Sequence, residues 1–358
     1  MIETFKKMDW KLNAAIFAVV IMGLITLLSS SPVLFWRQLG WFFVGAGLLL
    51  GLPFLNLKPI LSYRWVIAVI FAISVFLLIL TQIIGVVVHG SRSWIPLGSF
   101  HFQASELAKL ALIVVLAAFF SRRHVGIRRM EIIFYSFVYF ILPTFLILLE
   151  PDLGSAIIFF GLWVGFLLVS EMPLRYILFA LPAILLAVSL AWNFGFKDYQ
   201  KQRILAVFSP EADSLGVNYN IIQSKISVGS AGIWGKGFGQ GTQAKLGFLP
   251  EAQTDFIFPA FVEEWGIAGG LVLVLCFFSV IYRIAAIGRK SYGNFYRFFC
   301  LGAIILFSFQ FLINVGSALG FIPIIGVVFP LLSYGGSNFL TSSIILGIIQ
   351  NIAVRSNT

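Results

Sequence analysis

Charge is scarce in this chain. Only 11% of its 358 residues are Asp, Glu, Lys or Arg, against about 25% in soluble domains. With 60% of its residues apolar, a chain of this length cannot cover a water-facing surface, so much of that surface must face lipid. Cysteine is scarcer still. Cys276 and Cys300 each lie in or beside an apolar run and form no CxxC or Cys/His spacing; they read as buried free thiols. The three histidines, His89, His101 and His124, are scattered, so no metal centre is read from the sequence. The net charge of +10 forms no basic stripe, which argues against nucleic acid as a partner. The basic residues sit instead at the ends of apolar runs, where the positive-inside rule puts them.

Long apolar runs are what the chain has in abundance. A membrane span needs about 20 mostly apolar residues, and ten stretches qualify: residues 12–31, 38–57, 65–87, 104–121, 132–149, 154–170, 175–195, 258–282, 298–319 and 334–353. Within a bilayer these must be helices, because lipid satisfies no free backbone group. The expected fold is therefore an all-α polytopic membrane protein of about ten transmembrane helices. Lys6, Lys7 and Lys11 before the first run resemble the start of a signal peptide. The length of that run and the spans after it favour an uncleaved first helix.

Charge asymmetry orients the spans. With the N-terminus inside, the inner segments collect Lys6, Lys7, Lys11, Lys58, Arg64, Arg122, Arg123, Arg128, Arg129, Arg175, Arg283, Arg289, Lys290, Arg297 and Arg355, which is 15 of the 24 basic residues. The short outer loops hold little beyond Arg37 and Arg92, so both termini are expected in the cytoplasm. One long outer loop runs from 196 to 256. Val217, Ile221, Ile222 and Ile226 against Asn220, Gln223 and Lys225 predict an amphipathic helix lying in the interface there. A glycine-rich stretch from Gly229 to Gly241 follows. It is no P-loop, since Ser230 stands where the first glycine should and Gly237 follows Lys236 in place of Ser or Thr; it reads as loop backbone approaching lipid or substrate. Phe321 to Leu332, with Pro323, Gly326 and Pro330, is too short to cross and is expected to be re-entrant or packed on the outer face.

Ionisable residues in or beside spans are expensive and mark candidate function. Glu106 and Lys109, three residues apart, share one helix face. They form either an ion pair locking helix packing or a cation held near a leaving group. Asp152, in Glu150-Pro151-Asp152, either caps the sixth helix through Ser155 or faces a cavity, or does both. Arg203 is a solvated loop arginine or a fork for phosphate. Asp255, just before Phe256-Ile257-Phe258, is a helix cap or a partly desolvated carboxylate suited to act as a base. Glu263 and Glu264 read as buried structural carboxyls. These groups gather near one interface and mix both signs, which fits an anionic amphiphile. An ion transporter would carry its charges nearer the bilayer midplane.

The same segments resemble the SEDS family (shape, elongation, division and sporulation), the membrane glycosyltransferases of bacterial cell-wall synthesis. The resemblance spans nearly the whole chain. Its most specific stretch is Gly235-Lys236-Gly237, Gly241-Thr242-Gln243, Phe248-Leu249-Pro250-Glu251, Thr254-Asp255-Phe256-Ile257-Phe258 and Glu263-Glu264. The Gly-Thr-Gln and Phe-Leu-Pro elements look like the RodA, or elongation, branch. Supporting matches are Gln103-Ala104-Ser105-Glu106 with Lys109, Glu150-Pro151-Asp152-Leu153-Gly154, Tyr199-Gln200 with Arg203, and Ser333-Tyr334-Gly335-Gly336-Ser337. The chain departs from the family at Ala104, where proline is usual, at Ser93-Trp94, where Arg-Trp is usual, and at Val328 and Asn338.

The resemblance implies polymerisation of lipid II, the undecaprenyl-diphosphate-linked disaccharide pentapeptide, into β-1,4 glycan by inverting transfer, for elongation and rod shape. Such a transfer needs a base opposite the leaving group and positive charge on the departing diphosphate. On the resemblance, Asp255 is the base, Lys109 and Arg203 stabilise the diphosphate, and Glu106 positions Lys109. Asp152, Gln103, Ser105, Ser333, Tyr334 and Gly335 complete the substrate-binding set. A divalent cation, Mg or Mn, would serve the diphosphate charge, although no motif identifies its ligands. The implied partner is a class B penicillin-binding protein, and the implied location is the bacterial cell membrane, with the site on the extracytoplasmic side. The rival reading is a lipid II flippase without chemistry; a third is a scaffold that only recruits the transpeptidase.

Overall fold

The computed structural model describes residues 2–88, 90–98, 100–123, 130–170, 189, 192–193, 201–202, 205 and 218–356. Nine long helices dominate them. They are α1 (Trp10–Ser30), α2 (Pro32–Gly51), α3 (Arg64–Ile84), α4 (Ala104–Arg123), α5 (Met130–Leu149), α6 (Leu153–Val169), α8 (Ile257–Lys290), α9 (Asn294–Ala318) and α10 (Gly336–Ser356). The shorter α7 (Tyr219–Ser230) precedes α8. Eight are long and apolar enough to cross a membrane, and α6 is a shorter apolar helix. Exposed large apolar side chains such as Phe43 of α2 and Phe76 of α3 suit lipid and would be out of place in water. The expected seventh span, 175–195, lies outside the described residues except for 189, 192 and 193.

Local chemistry sets the boundaries. Asp9 caps α1 by accepting from the Leu12 amide at 2.9 Å. α2 begins at Pro32, six residues before the run expected from hydropathy, because proline suits the first helical turn. Only Ser31 separates it from α1. α8 runs eight residues past its expected end to Lys290 and is broken at Gly266, whose φ of 71° and ψ of −178° are not helical. The loop between α3 and α4 holds an element that apolar counting missed. It is an antiparallel sheet of β1 (Val86–Val88), β2 (Ser91–Leu97) and β3 (Phe100–Gln103), in order β1-β2-β3. Trp94 pairs with Gln103 and Leu97 with Phe100.

The most deeply buried helices are α4 and α10. α4 packs against α3 and α9, α10 against α2, and α8 against α1 and α9. Alanines on α4 (Ala104, Ala108, Ala111, Ala117) are buried and allow close approach between helices, as small residues do in membranes. Residues 321–332 form no helix, and Val327, Phe329, Leu331 and Leu332 are buried in the bundle. This irregular backbone is tolerated because it is enclosed by protein and lines a cavity. α7 packs against α8 with Ile221, Ser224 and Ser227 buried and Ile226 exposed. The face packed on the protein combines Ile221 with the two serines, and Ser224 Oγ donates to the Ala318 carbonyl.

Candidate active site

One large cavity, about 2560 Å³, lies at the end of the bundle carrying the sheet and residue 255. Its polar wall includes Arg37, His101, Gln103, Glu106, Lys109, Asp152, Glu251, Asp255, Tyr334 and Gly335. Its apolar wall is formed by α5, α6 and α9, through Phe137, Phe140, Ile141, Phe160, Trp163 and Phe309 among others. Phe140 and Trp163 stack at 5.1 Å. Polar groups at one end and aromatic surface along the other make the space amphiphilic.

β3 delivers the chain into α4, which puts Glu106 in the first turn, where a carboxylate suits the helix dipole. Lys109 Nζ donates to Glu106 Oε1 at 2.8 Å. The two side chains are 5% and 6% exposed, so the pair is nearly dry except toward the cavity. Asn338 Nδ2 of α10 donates to the other Glu106 oxygen at 3.0 Å. Glu106 is thus held from two sides and fixes the ammonium on the cavity wall.

Asp152 does both jobs left open by the sequence. It caps α6, accepting from Ser155 N at 2.9 Å and Ser155 Oγ at 2.7 Å, and it also lines the cavity. Gln103 Nε2 approaches the same carboxylate at 3.3 Å. Glu150 beside it is fully buried, and neither carboxyl oxygen has a hydrogen-bond partner. Burial pushes this carboxyl up to about 8, and repulsion from Asp152 adds to the shift.

Asp255 lies on a turn whose backbone is clamped from two sides, by the Ser333-Tyr334 stretch before α10 and by Asn314 of α9. The carbonyls of Gln253, Thr254 and Asp255 accept from Tyr334 N at 2.9 Å, Ser333 Oγ at 2.7 Å and Asn314 Nδ2 at 2.9 Å. Asn314 Nδ2 also donates to Val327 O at 2.8 Å, joining this turn to the 321–332 segment. The N-cap position of α8 falls on Phe256, so Asp255 is not the cap. Its side chain faces the cavity next to Gly326, where a Cβ added to the glycine would stand 3.8 Å from Asp255 Oδ2. Three successive anchored carbonyls leave this residue little freedom, which is the preorganisation a base requires.

The backbone of the glycine stretch is held by its own chain. It docks into the break of α8. Lys236 N and Gly237 N donate to the Glu263 and Glu264 carbonyls, while Ile267 N and Ala268 N donate to those of Gly232 and Ile233. Gly235 has φ +81°, and a Cβ there would come within 2.2 Å of the Glu264 carbonyl oxygen, so only glycine fits. Glu263 is buried and structural, as expected. It takes Lys236 Nζ at 2.6 Å, Thr242 N at 2.9 Å and Gln243 N at 3.1 Å, stapling the loop that leads to Asp255.

The structure thus brings Gln103, Glu106, Lys109, Asp152, Asp255, Tyr334 and Gly335 to one cavity. Ser105 lies behind the wall, fully buried, with its hydroxyl 3.2 Å from that of Ser155. Ser333 is likewise buried and holds the Asp255 turn from behind. Arg203 lies outside the described residues. Sequence reasoning missed Asn314, Asn338 and Gln38, whose Oε1 accepts from Gly335 N at 3.3 Å. The available signal was a lone amide in an apolar helix. Among the described residues, no three His, Cys, Asp or Glu side chains group to hold a metal ion, and no step below is routed through one.

Apolar helices around a one-ended polar cavity with an aromatic flank define a polytopic membrane protein that handles an amphiphile. The chain belongs to the FtsW/RodA/SpoVE family, described as cell cycle proteins, whose model matches residues 10–358. It is 33% identical over 353 residues to the peptidoglycan glycosyltransferase MrdB of Escherichia coli strain K12, covering 93% of this chain and 92% of that protein. It is 32% identical over 367 residues to stage V sporulation protein E of Bacillus subtilis strain 168, covering 98% of each. Among solved structures it resembles a chain of a peptidoglycan synthase complex that coordinates polymerization and crosslinking, with a TM-score of 0.83, 30% identity and 98% of each chain covered. It also resembles the rod shape determining protein RodA of Thermus thermophilus, with a TM-score of 0.70, 26% identity, and 97% of this chain and 96% of that one covered.

Proposed function

We propose that this chain is a peptidoglycan glycosyltransferase of the elongation type that polymerises lipid II. The observation that carries this reading is the shape of the cavity. A carboxylate on a clamped turn and a buried, carboxylate-held lysine share one space with an aromatic wall. A lipid-linked sugar has this same division into diphosphate, sugar and apolar tail.

In the proposed reaction, the acceptor sugar's 4-hydroxyl oxygen attacks the anomeric carbon of the donor. Asp255 takes the hydroxyl proton as the new carbon–oxygen bond forms. The bond from that carbon to the diphosphate breaks, and the diphosphate leaves with both bonding electrons. Attack opposite the leaving group turns the α linkage into β. Lys109, with Arg203 assigned alongside it by the family resemblance, offsets the developing charge. Glu106 aims Lys109, Asp152 and Gln103 shape the wall near it, and Tyr334 and Gly335 border the Asp255 turn. A general base of this kind is worth about 10²–10⁴ in rate. A Mg or Mn ion arriving with the diphosphate would share its charge. The site faces the extracytoplasmic side by the positive-inside count, and a class B penicillin-binding protein is the proposed partner.

The test is purified protein with lipid II in detergent, where transport has no meaning. Wild type should make glycan polymer, and Asp255→Asn should bind lipid II yet make none. A wild type that makes no polymer even with its partner present would refute the transferase. A fully active Asp255→Asn protein would refute the assignment of the base.

A further inference from the structure

We infer that Ile233 and Trp234, at the tip of the glycine loop, form an anchor in the headgroup layer of the membrane and fix the height of the loop that leads to Asp255. The ligand is a lipid surface, and neither the transfer reaction nor the family relationship is needed for the argument.

The lipid-facing side of α8 is marked by exposed apolar residues on one helical face: Ile267, Leu271, Leu275, Phe278 and Tyr282. Their spacing of three or four residues is that of a single stripe. The stripe begins directly after the break at Gly266. Before the break, every residue from Ile257 to Glu264 is buried in protein. The segment from Ile267 to Lys290 rises about 36 Å at 1.5 Å per residue, enough to cross a hydrocarbon core of about 30 Å without the residues upstream. The start of this lipid-facing stripe places the edge of the hydrocarbon close to the break.

The glycine loop is hydrogen-bonded to this same edge. Ile267 N and Ala268 N donate to the carbonyls of Gly232 and Ile233, each at 3.0 Å. This puts Ile233 and Trp234 level with the first lipid-facing residues of α8. Their side chains are 65% and 82% exposed, the indole more than any other large apolar group except Tyr292. An exposed indole beside an isoleucine is costly in water and favourable where an apolar ring meets headgroups. Lys236, two residues on, is turned inward to Glu263, so the exposed tip is apolar and not cationic. The contact is continuous with the lipid-facing stripe of α8, which is why lipid is the occupant chosen over a partner protein. Residues 257–265 then lift Asp255 above the hydrocarbon edge by up to about 14 Å, into the layer of headgroups and sugars.

The experiment uses the full chain in phosphatidylcholine nanodiscs. The protein has nine tryptophans, so the signal read is the fluorescence difference between wild type and Trp234→Phe, a substitution that keeps an aromatic ring. Phosphatidylcholine brominated near the headgroup end of its chains should quench this difference about twofold more than phosphatidylcholine brominated near the chain ends, the order expected of an interfacial indole. Aqueous iodide should quench it less than it quenches free tryptophan. A difference signal untouched by both bromolipids and fully open to iodide would overturn the anchor, because Trp234 would then stand in water. A signal shielded from bromolipids and iodide alike would overturn it in favour of a protein contact, either a second copy or a partner.

Discussion

Replacing Glu106 by alanine separates a structural ion pair from a working one. The mutation leaves Lys109 Nζ on a nearly dry wall without the oxygen that now accepts from it at 2.8 Å. Stranding one member of a buried pair costs about 3–5 kcal/mol. Because the ammonium faces a cavity that can admit water, the lower figure is expected. Asn338 also loses its acceptor, which adds about 1 kcal/mol. The expected total is about 4 kcal/mol, read as a shift in a urea titration of the detergent-solubilised protein followed by tryptophan fluorescence. The informative partner is the double variant Glu106→Leu with Lys109→Met, which removes both charges and keeps the volume. Its stability should return to within about 1 kcal/mol of wild type, while polymerisation of lipid II falls to near background, because the ammonium assigned to the leaving diphosphate is gone and Arg203 alone does not replace it. A double variant that is stable and polymerises at the wild-type rate would reduce the pair to a packing lock. A Glu106→Ala protein as stable as wild type would refute the burial argument itself.

Glu150 makes stability depend on pH. Its folded value is raised to about 8 from an ordinary 4.5, so between these limits the folded state holds a proton that the unfolded state has lost. Stability therefore falls as pH rises through that window and levels off above about 8; Glu150→Gln should flatten the fall and be the more stable protein at pH 9, and an unchanged profile would refute the assignment. Gly235→Ala forces a Cβ against the Glu264 carbonyl at positive φ and should cost at least about 3 kcal/mol. Gly239→Ala, also at positive φ but in open space, should cost about 1–2 kcal/mol; equal losses in thermal melts would show that the docking into the α8 break is unimportant. Asn314→Leu removes the donor to the Asp255 and Val327 carbonyls. It should lower kcat about 10²-fold with KM little changed, the penalty of a misplaced catalytic group, and an unaltered kcat would show that the clamp does not position Asp255.

Spans were legible because lipid leaves the chain no alternative to a helix. The first long helix starts at Trp10, two residues from its expected start, and the last ends at Ser356, three past its expected end. The acidic and basic wall was legible because charge in an apolar chain has few innocent uses. What escaped has a common cause. β2 and β3 pair within thirteen residues, 91–103, of mixed loop, too short for a hydropathy count. Gly235 and Gly266 show their meaning only when two segments thirty residues apart meet backbone to backbone. Asn314 looked like one polar residue in an apolar run, and nothing local says that its amide closes on Asp255 and Val327. Ser333 and Tyr334 were read as substrate contacts. The hydroxyl of Ser333 acts from behind, on the turn that carries Asp255, whereas Tyr334 holds that turn through its backbone and also lines the cavity.

The fold also bears on the choice between transferase and flippase. A flippase must let a diphosphate-sugar pass the full depth of the bundle. Here the charged wall is confined to one end. At the other, Phe120, Phe166 and Phe298 of α4, α6 and α9 meet as a triad with centroids 5.8–6.4 Å apart, and Phe120 and Phe166 are fully buried. Nearby, Arg283 of α8 pairs with Asp9, and Gln350 of α10 donates to Asn13 of α1 at 2.7 Å, tying three helices together where a path would have to open. Passage would mean parting a packed aromatic layer and stranding buried polar groups, each a cost of about 1–3 kcal/mol or more. Transfer chemistry asks for none of this: the tail can stay beside the aromatic wall while the diphosphate and sugar react at the polar end. A carboxylate on a turn held by three anchored carbonyls is not needed to carry a lipid across, and it suits the base that the proposed inverting transfer requires.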